Sequence, residues 1–219
     1  MNILALDSSS QNISIGLLYE GRVLFDFNRK LSFGASKLVS FIDTNLKKYR
    51  INPEEIDVFA LGSGPGSFTG LRASFSIIKA FMLALKKPAV CIESFYSIAH
   101  PLAKEYNKIA VISDAKRGLI YAAPFTAKGG LLKKEAKTAL ISLKDFAKEH
   151  AEYFFVTYDE HLYGQLTEAS PGIKFSKTAV FPKAKYYLEI AKSLAEKGKF
   201  TDIGNLEPLY LHPKTCQIR

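Results

Sequence analysis

Tryptophan is absent from this 219-residue chain, and cysteine and methionine occur only twice each. Cys91, in a strand-like segment, and Cys216, in the tail, are too few and too far apart for a disulfide scaffold. No CxxC and no nearby histidine accompanies either, which excludes a zinc module. The four histidines, His100, His150, His161 and His212, are isolated from one another and no HExxH is present, so metalloprotease chemistry has no ligands. Long apolar runs are also missing. "AFMLAL" at 80–85 is too short to span a bilayer, and no charged start leads into an apolar stretch, so the expectation is a cytoplasmic chain with no membrane contact.

What is present is a composition for folding, with 47% hydrophobic residues. The formal charge of +9 leans to the second half: residues 1–105 hold 12 Lys+Arg against 9 Asp+Glu, and residues 106–219 hold 18 against 12. No run of five lysines occurs, so the excess reads as a solvated surface.

The opening reads as three strands: "ILAL" at 3–6, "ISIGLLY" at 13–19 and, after Glu20-Gly21, "RVLFDFN". A helix over about 35–49 follows from the spacing of Leu38, Ile42, Leu46 and Tyr49. Then come a strand at 56–62, a loop at 62–66, a helix at about 67–86 and a strand at 89–94. From residue 108 the pattern partly repeats: "KIAVISDA" parallels "NILALDSS" as a short apolar strand ending in Asp and a small residue. Two strand segments across Gly129-Gly130, a helix capped by Ser142, the strand "YFFVTYD" and a helix over 183–199 complete it. The expectation is an α/β protein of two lobes, 1–105 and 106–219, with mixed sheets flanked by helices. This organisation resembles the duplicated actin-like fold of sugar kinases and heat-shock ATPases, which hold ATP between their lobes.

The segment "GSGPGSFTGLR" at 62–72 raises the question of phosphate binding. A glycine turn entering a helix is an anion site in principle. Here the dinucleotide pattern fails at Ser67 and the P-loop pattern fails because Gly70 precedes Leu71-Arg72 rather than Lys-Ser or Lys-Thr. Ser67 instead reads as an N-cap. The helix behind it carries Phe68, Leu71, Phe75, Ile78, Met82 and Leu85 on one face and Ala73, Ile77, Ala80, Phe81 and Ala84 around the back, with Arg72, Ser74, Ser76 and Lys79 in a thin polar strip. Such a helix must be buried on two sides, within the chain or against another subunit.

Together with "ILALDSSS", "DAKRGLIYAAPF" at 114–125 and "EPLYLHP" at 207–213, this segment resembles the TsaB (YeaZ) family across almost the whole chain. The resemblance implies a non-catalytic, actin-like scaffold. It would pair with TsaD through the two N-lobe helices, support the ATPase TsaE, and serve a complex that transfers a threonylcarbamoyl group to adenosine 37 of ANN-decoding tRNAs. The partner surface is expected at Leu38, Ile42, Leu71, Arg72, Phe75, Ile78, Lys79 and Met82, and a homodimer is expected in isolation. The chain would hold no cofactor of its own, ATP and metal belonging to the partners, with Asp7, Ser8 and Ser9 a relic of a phosphate loop. One departure stands out: where family members carry His-Ser and a later proline, this chain has Ala35-Ser36 and Ser40.

Two other readings compete. An actin-like ATPase or kinase would use Asp7 and Asp114, at the ends of the two lobes' first strands. A nucleic-acid face would use Lys183, Lys185, Lys192 and Lys199 with Tyr186 and Tyr187 for stacking.

Overall fold

In the computed structural model, which describes residues 1–30 and 37–212, strands β1 (Ile3–Asp7), β2 (Ile13–Tyr19) and β3 (Arg22–Arg29) form an antiparallel meander. Glu20-Gly21 joins β2 to β3 with φ of 48° and 80°, the two positive values a two-residue type I′ turn requires. Helix α1 (Leu38–Lys48) leads to β4 (Val58–Gly62), and α2 (Phe68–Leu85) leads to β5 (Ala89–Ile92). Both strands add in parallel beyond β1, giving the order β3-β2-β1-β4-β5. The two helices send Leu38, Ile42, Leu71 and Ile78 into one cluster with Leu4, Leu6, Ile15, Leu17, Phe59 and Leu61. They therefore cover the same face of this sheet.

After α3 (Ser94–Ala99) the pattern returns. Strands β6 (Lys108–Lys116), β7 (Leu119–Lys128) and β8 (Leu131–Lys134) are antiparallel, β9 (Ala139–Ser142) pairs with β7, and α4 (Leu143–Glu149) follows. Then β10 (Phe154–Val156), α5 (Leu162–Ala169) and β11 (Lys174–Phe175) place two parallel strands beyond β6. The order β8-β7-β6-β10-β11 repeats that of the first sheet, strand for strand and direction for direction. The faint sequence repeat is thus a real duplication. Ser142 caps α4 by accepting the Asp145 N–H, as expected. Helix α5 was not legible beforehand because Gly164 interrupts it and it buries only Leu162 and Leu166.

The division between lobes differs from the expected boundary at 105/106. One unit comprises Met1–Ser94 and Pro182–Leu209, the other Phe95–Phe181 and the described residues from Tyr210. The reason is α6 (Ala184–Glu196), which packs on the face of the first sheet opposite α1 and α2. Its Ala184 N–H donates to Ser14 Oγ at 2.6 Å. Gly16 makes the approach possible, since a Cβ there would lie 2.8 Å from the Ala184 Cβ.

Candidate functional site

The loop 62–70 is built by close approach of backbone to the turn after β1. A Cβ on Gly62 would lie 1.8 Å from Asp7 Oδ2, one on Gly66 2.0 Å from the Ser9 carbonyl oxygen, and one on Gly70 2.0 Å from that of Ser8. Only glycine fits at those three positions. The Ser67 N–H donates to the Ser9 carbonyl at 2.6 Å, and Ser8 Oγ donates to the Gly70 carbonyl at 2.7 Å. Ser67 Oγ in turn accepts the Gly70 N–H, capping α2 as its position in the sequence suggests. The glycines clasp the β1–β2 turn.

Asp7 lies under this clasp and is fully buried. Its Oδ1 accepts the Ser9 N–H at 2.9 Å and Ser9 Oγ at 2.8 Å. Its Oδ2 accepts Ser94 Oγ at 2.6 Å and the Tyr187 hydroxyl at 2.5 Å. Ser94 Oγ also accepts the Gly64 N–H at 3.0 Å. A buried carboxylate is tolerable when its lone pairs are filled in this way. Asp7 joins β1, the glycine loop and α6.

Asp114, its counterpart at the end of β6, has different surroundings. It accepts the Lys116 N–H and pairs with Lys116 Nζ, both at 2.7 Å, and His161 Nε2 stands 3.4 Å from Oδ2. Burial pushes its carboxyl pKa up, but the Lys116 hydrogen bonds and charge outweigh that and hold it below the ordinary value. Asp159 accepts the Asp114 N–H at 2.8 Å, and its own burial raises its pKa. A cavity of about 240 Å³ opens beside this cluster, between Lys116, Arg117, His161 and Gln165. Among the described residues no three His, Cys, Asp or Glu side chains are placed to hold a metal ion. Burial pushes the Cys91 thiol up to about 11, leaving it a poor nucleophile; Cys216 lies outside the described residues.

The expected partner surface needs correction. Leu38, Ile42, Leu71, Phe75, Ile78 and Met82 are at most 9% exposed and form the chain's own core. The densest apolar stripe of each helix faces the sheet, so it offers a partner nothing. Arg72 is exposed and Lys79 half-buried. The exposed surface is the outer stripe: Val39 and Leu83, which the sequence reading missed, with Ala80 and Ala84 from the apolar back of α2 and Phe68, which turns outward instead of lying with Leu71 on the buried face. Phe68 is 49% exposed, Leu83 69% and Val39 50%. The Arg72 guanidinium lies 5.2 Å from the Phe68 ring centre. Helical spacing from Arg72 through Ser76, Ala80 and Leu83 would have found this stripe once the sheet-facing side was assigned. Ser40 is exposed on α1, whereas Ala35 and Ser36 lie outside the described residues.

Two further expectations change. By length and composition α2 is able to cross a membrane, with a mean hydropathy of 1.4 over its 18 residues; here Leu71, Phe75 and Ile78 are buried against the sheet. Tyr187 is fully buried and committed to Asp7, so it cannot stack on a base. Along α6, Lys185, Glu189, Lys192 and Glu196 alternate in sign rather than forming a basic stripe.

A family model described as TsaD, tRNA N6-adenosine threonylcarbamoyltransferase, matches residues 35–203. The tRNA threonylcarbamoyladenosine biosynthesis protein TsaB of Bacillus subtilis is 27% identical over 217 residues, covering 96% of this chain and 94% of that protein. The protein of the same name from Escherichia coli is 22% identical over 218 residues, covering 96% and 94%. The solved structure of YeaZ from Pseudomonas aeruginosa superposes with a TM-score of 0.82 at 22% identity, covering 96% of this chain and 99% of that one. The duplicated α/β architecture, with mixed sheets flanked by helices, is accordingly actin-like. The chain belongs to the TsaD family and, within it, to the TsaB (YeaZ) branch.

Proposed function

We propose that this chain is a non-catalytic subunit in tRNA threonylcarbamoyladenosine biosynthesis, working in the cytoplasm. In this reading it docks on the catalytic subunit TsaD through the outer faces of α1 and α2 and supports the ATPase TsaE. ATP, metal and tRNA chemistry then belong to the complex. The observation that carries the proposal is the pairing of a closed Asp7 with an open α2. Every acceptor direction of the Asp7 carboxylate is filled by the chain's own donors. Phe68, Arg72 and Leu83 stand exposed beside them on a rigid helix, and aromatic and Arg side chains are the types that dominate protein interfaces.

Co-expression with TsaD of the same organism tests it. The wild-type chain is expected to co-purify with TsaD, and Leu83→Glu to lose it at least tenfold with an unchanged melting temperature. Full retention by Leu83→Glu and by Phe68→Ala/Arg72→Ala would overturn this docking face.

A second reading, an actin-like ATPase or kinase with its own nucleotide site, draws on the placement of Asp7 and Asp114 at equivalent strand ends. Nucleotide phosphates and their metal would have to displace Tyr187 and Ser94 from Asp7, and Lys116 from Asp114. Calorimetry with magnesium and ATP separates the two readings: micromolar binding with turnover by the isolated chain would favour the enzyme.

A further inference from the structure

The same place in the two units is built in opposite ways. In the first, the turn after β1 and the entry to α2 meet backbone to backbone through Gly66, Gly70 and the Ser67 N–H, so no side chain fits between them. In the second, the turn after β6 and the entry to α5 are joined by a side chain instead: Asp159 accepts the Asp114 N–H at 2.8 Å. This longer link leaves room, and the cavity of about 240 Å³ opens between those two elements. Its floor is apolar, made by Ile120 of β7, Leu143 of α4 and Leu162 of α5, all buried. Its rim is exposed and basic in character, with Lys116, Arg117 and His161. Asp114 stands in the wall, where Lys116 Nζ compensates its charge at 2.7 Å. Glu160, before His161 in the chain, is exposed and outside the lining. Lys116 and Arg117 hold left-handed φ values of 67° and 56°, a conformation that costs residues with side chains energy and persists only where the surroundings impose it.

We propose that this cavity binds a small carboxylate whose apolar body is the size of one ring. An apolar cavity of about 150 Å³ accepts benzene, so this one has room for a ring and its carboxylate. The body rests on Ile120, Leu143 and Leu162, and the carboxylate meets the Arg117 guanidinium and His161 at the rim. A guanidinium offers paired N–H donors that match two carboxylate oxygens. The charge of the wall sets the class of anion. Among the lining residues two formal cations, Lys116 and Arg117, stand against one carboxylate, Asp114, an excess that one negative charge balances. A phosphate monoester with two charges would add repulsion from Asp114 and from Asp159 behind it. The site lies wholly in the second unit and uses neither Asp7 nor the outer faces of α1 and α2, so it stands apart from the docking reading.

An NMR titration of the isotope-labelled full chain reports binding residue by residue. Benzoate is expected to move the amide signals of residues 116–120, 143 and 161–165, with a dissociation constant below about 1 mM. Acetate, which lacks the body, and benzyl alcohol, which lacks the charge, should each bind at least tenfold more weakly, and phenyl phosphate no more tightly than benzoate. Arg117→Ala and His161→Gln, both at exposed positions, should each weaken benzoate at least fivefold with an unchanged melting temperature. Lys133→Ala removes an exposed cation of β8 outside the lining and should leave benzoate binding unchanged. Still signals in those segments at about 10 mM benzoate would overturn the site, as would a Lys133→Ala loss equal to that of Arg117→Ala. Benzyl alcohol binding as tightly as benzoate, or phenyl phosphate binding tenfold tighter, would overturn the ligand class.

Discussion

Asp7, a phosphate-loop relic in one reading of the sequence and a metal-water ligand in the other, has its carboxylate filled by the chain's own donors. Its Oδ2 accepts the hydroxyl of a residue 180 positions away. Tyr187→Phe removes one hydrogen bond to a buried carboxylate, which costs about 1.5–3 kcal/mol; urea denaturation should show this, and a loss under about 0.5 kcal/mol would contradict the tie. The glycines divide in the same physical way. Gly70→Ala sets a Cβ 2.0 Å from a backbone oxygen and should lower the melting temperature markedly, whereas Gly164, exposed in α5 with nothing within 4 Å, should stabilise as Ala by about 0.5–1 kcal/mol. Asp114 and Asp159 give a pH test. Asp114 is lowered in the fold, so its contribution is present above the unfolded value of about 3.9 and is lost as pH falls. Asp159 is raised, so its contribution is present below that value and is lost as pH rises. Relative to wild type, Asp114→Asn should therefore grow less stable, and Asp159→Asn more stable, as pH rises from about 3 to 6. Parallel slopes for the two variants would refute the assignment.

At the scale of an element, α2 has two faces with opposite roles. Ile78 is fully buried among Leu4, Phe59 and Leu61, so Ile78→Asp places an unpaired charge in the core and should abolish folding. Leu83→Asp, 69% exposed, should leave the circular dichroism melt within about half a kcal/mol of wild type, as surface changes do. Equal damage from both would mean that α2 does not pack as described. The limits of α2 were legible because Ser67 and the Lys-Lys-Pro end are local signals. Which stripe faced the sheet was not. Leu71, Phe75, Ile78 and Met82 satisfy an interface and a core equally well by period alone, and an apolar helix only declares its burial when the opposing surface is known.

At the scale of the whole chain, the first unit is discontinuous: it closes only when Pro182–Leu209 returns. A chain ended at Phe181 loses α6 and with it the cover over Gly16, Ser14 and Asp7. Hydrogen exchange should then find β1, β2 and β4 unprotected, while β6, β7 and β10 stay protected. Protection of both sheets would show that α6 is dispensable. The duplication was only faintly legible because the strands share little beyond a short apolar run and a terminal Asp. The shared sheet order is a property of pairing, not of residue identity.

The amino-acid sequence by itself determined the elements: the meanders with their Glu20-Gly21 and Gly129-Gly130 turns, the helices capped by Ser67 and Ser142, and a glycine loop that departs from the dinucleotide and P-loop patterns. These follow from neighbours a few residues apart, where φ limits, caps and periodicity act. Only the tertiary structure decided that Tyr187 completes Asp7, that Gly66 and Gly70 rest on Ser9 and Ser8, and that Leu83 rather than Ile78 faces outward. Those outcomes depend on which surfaces meet across long stretches of chain, and burial and hydrogen-bond satisfaction are settled only by that meeting.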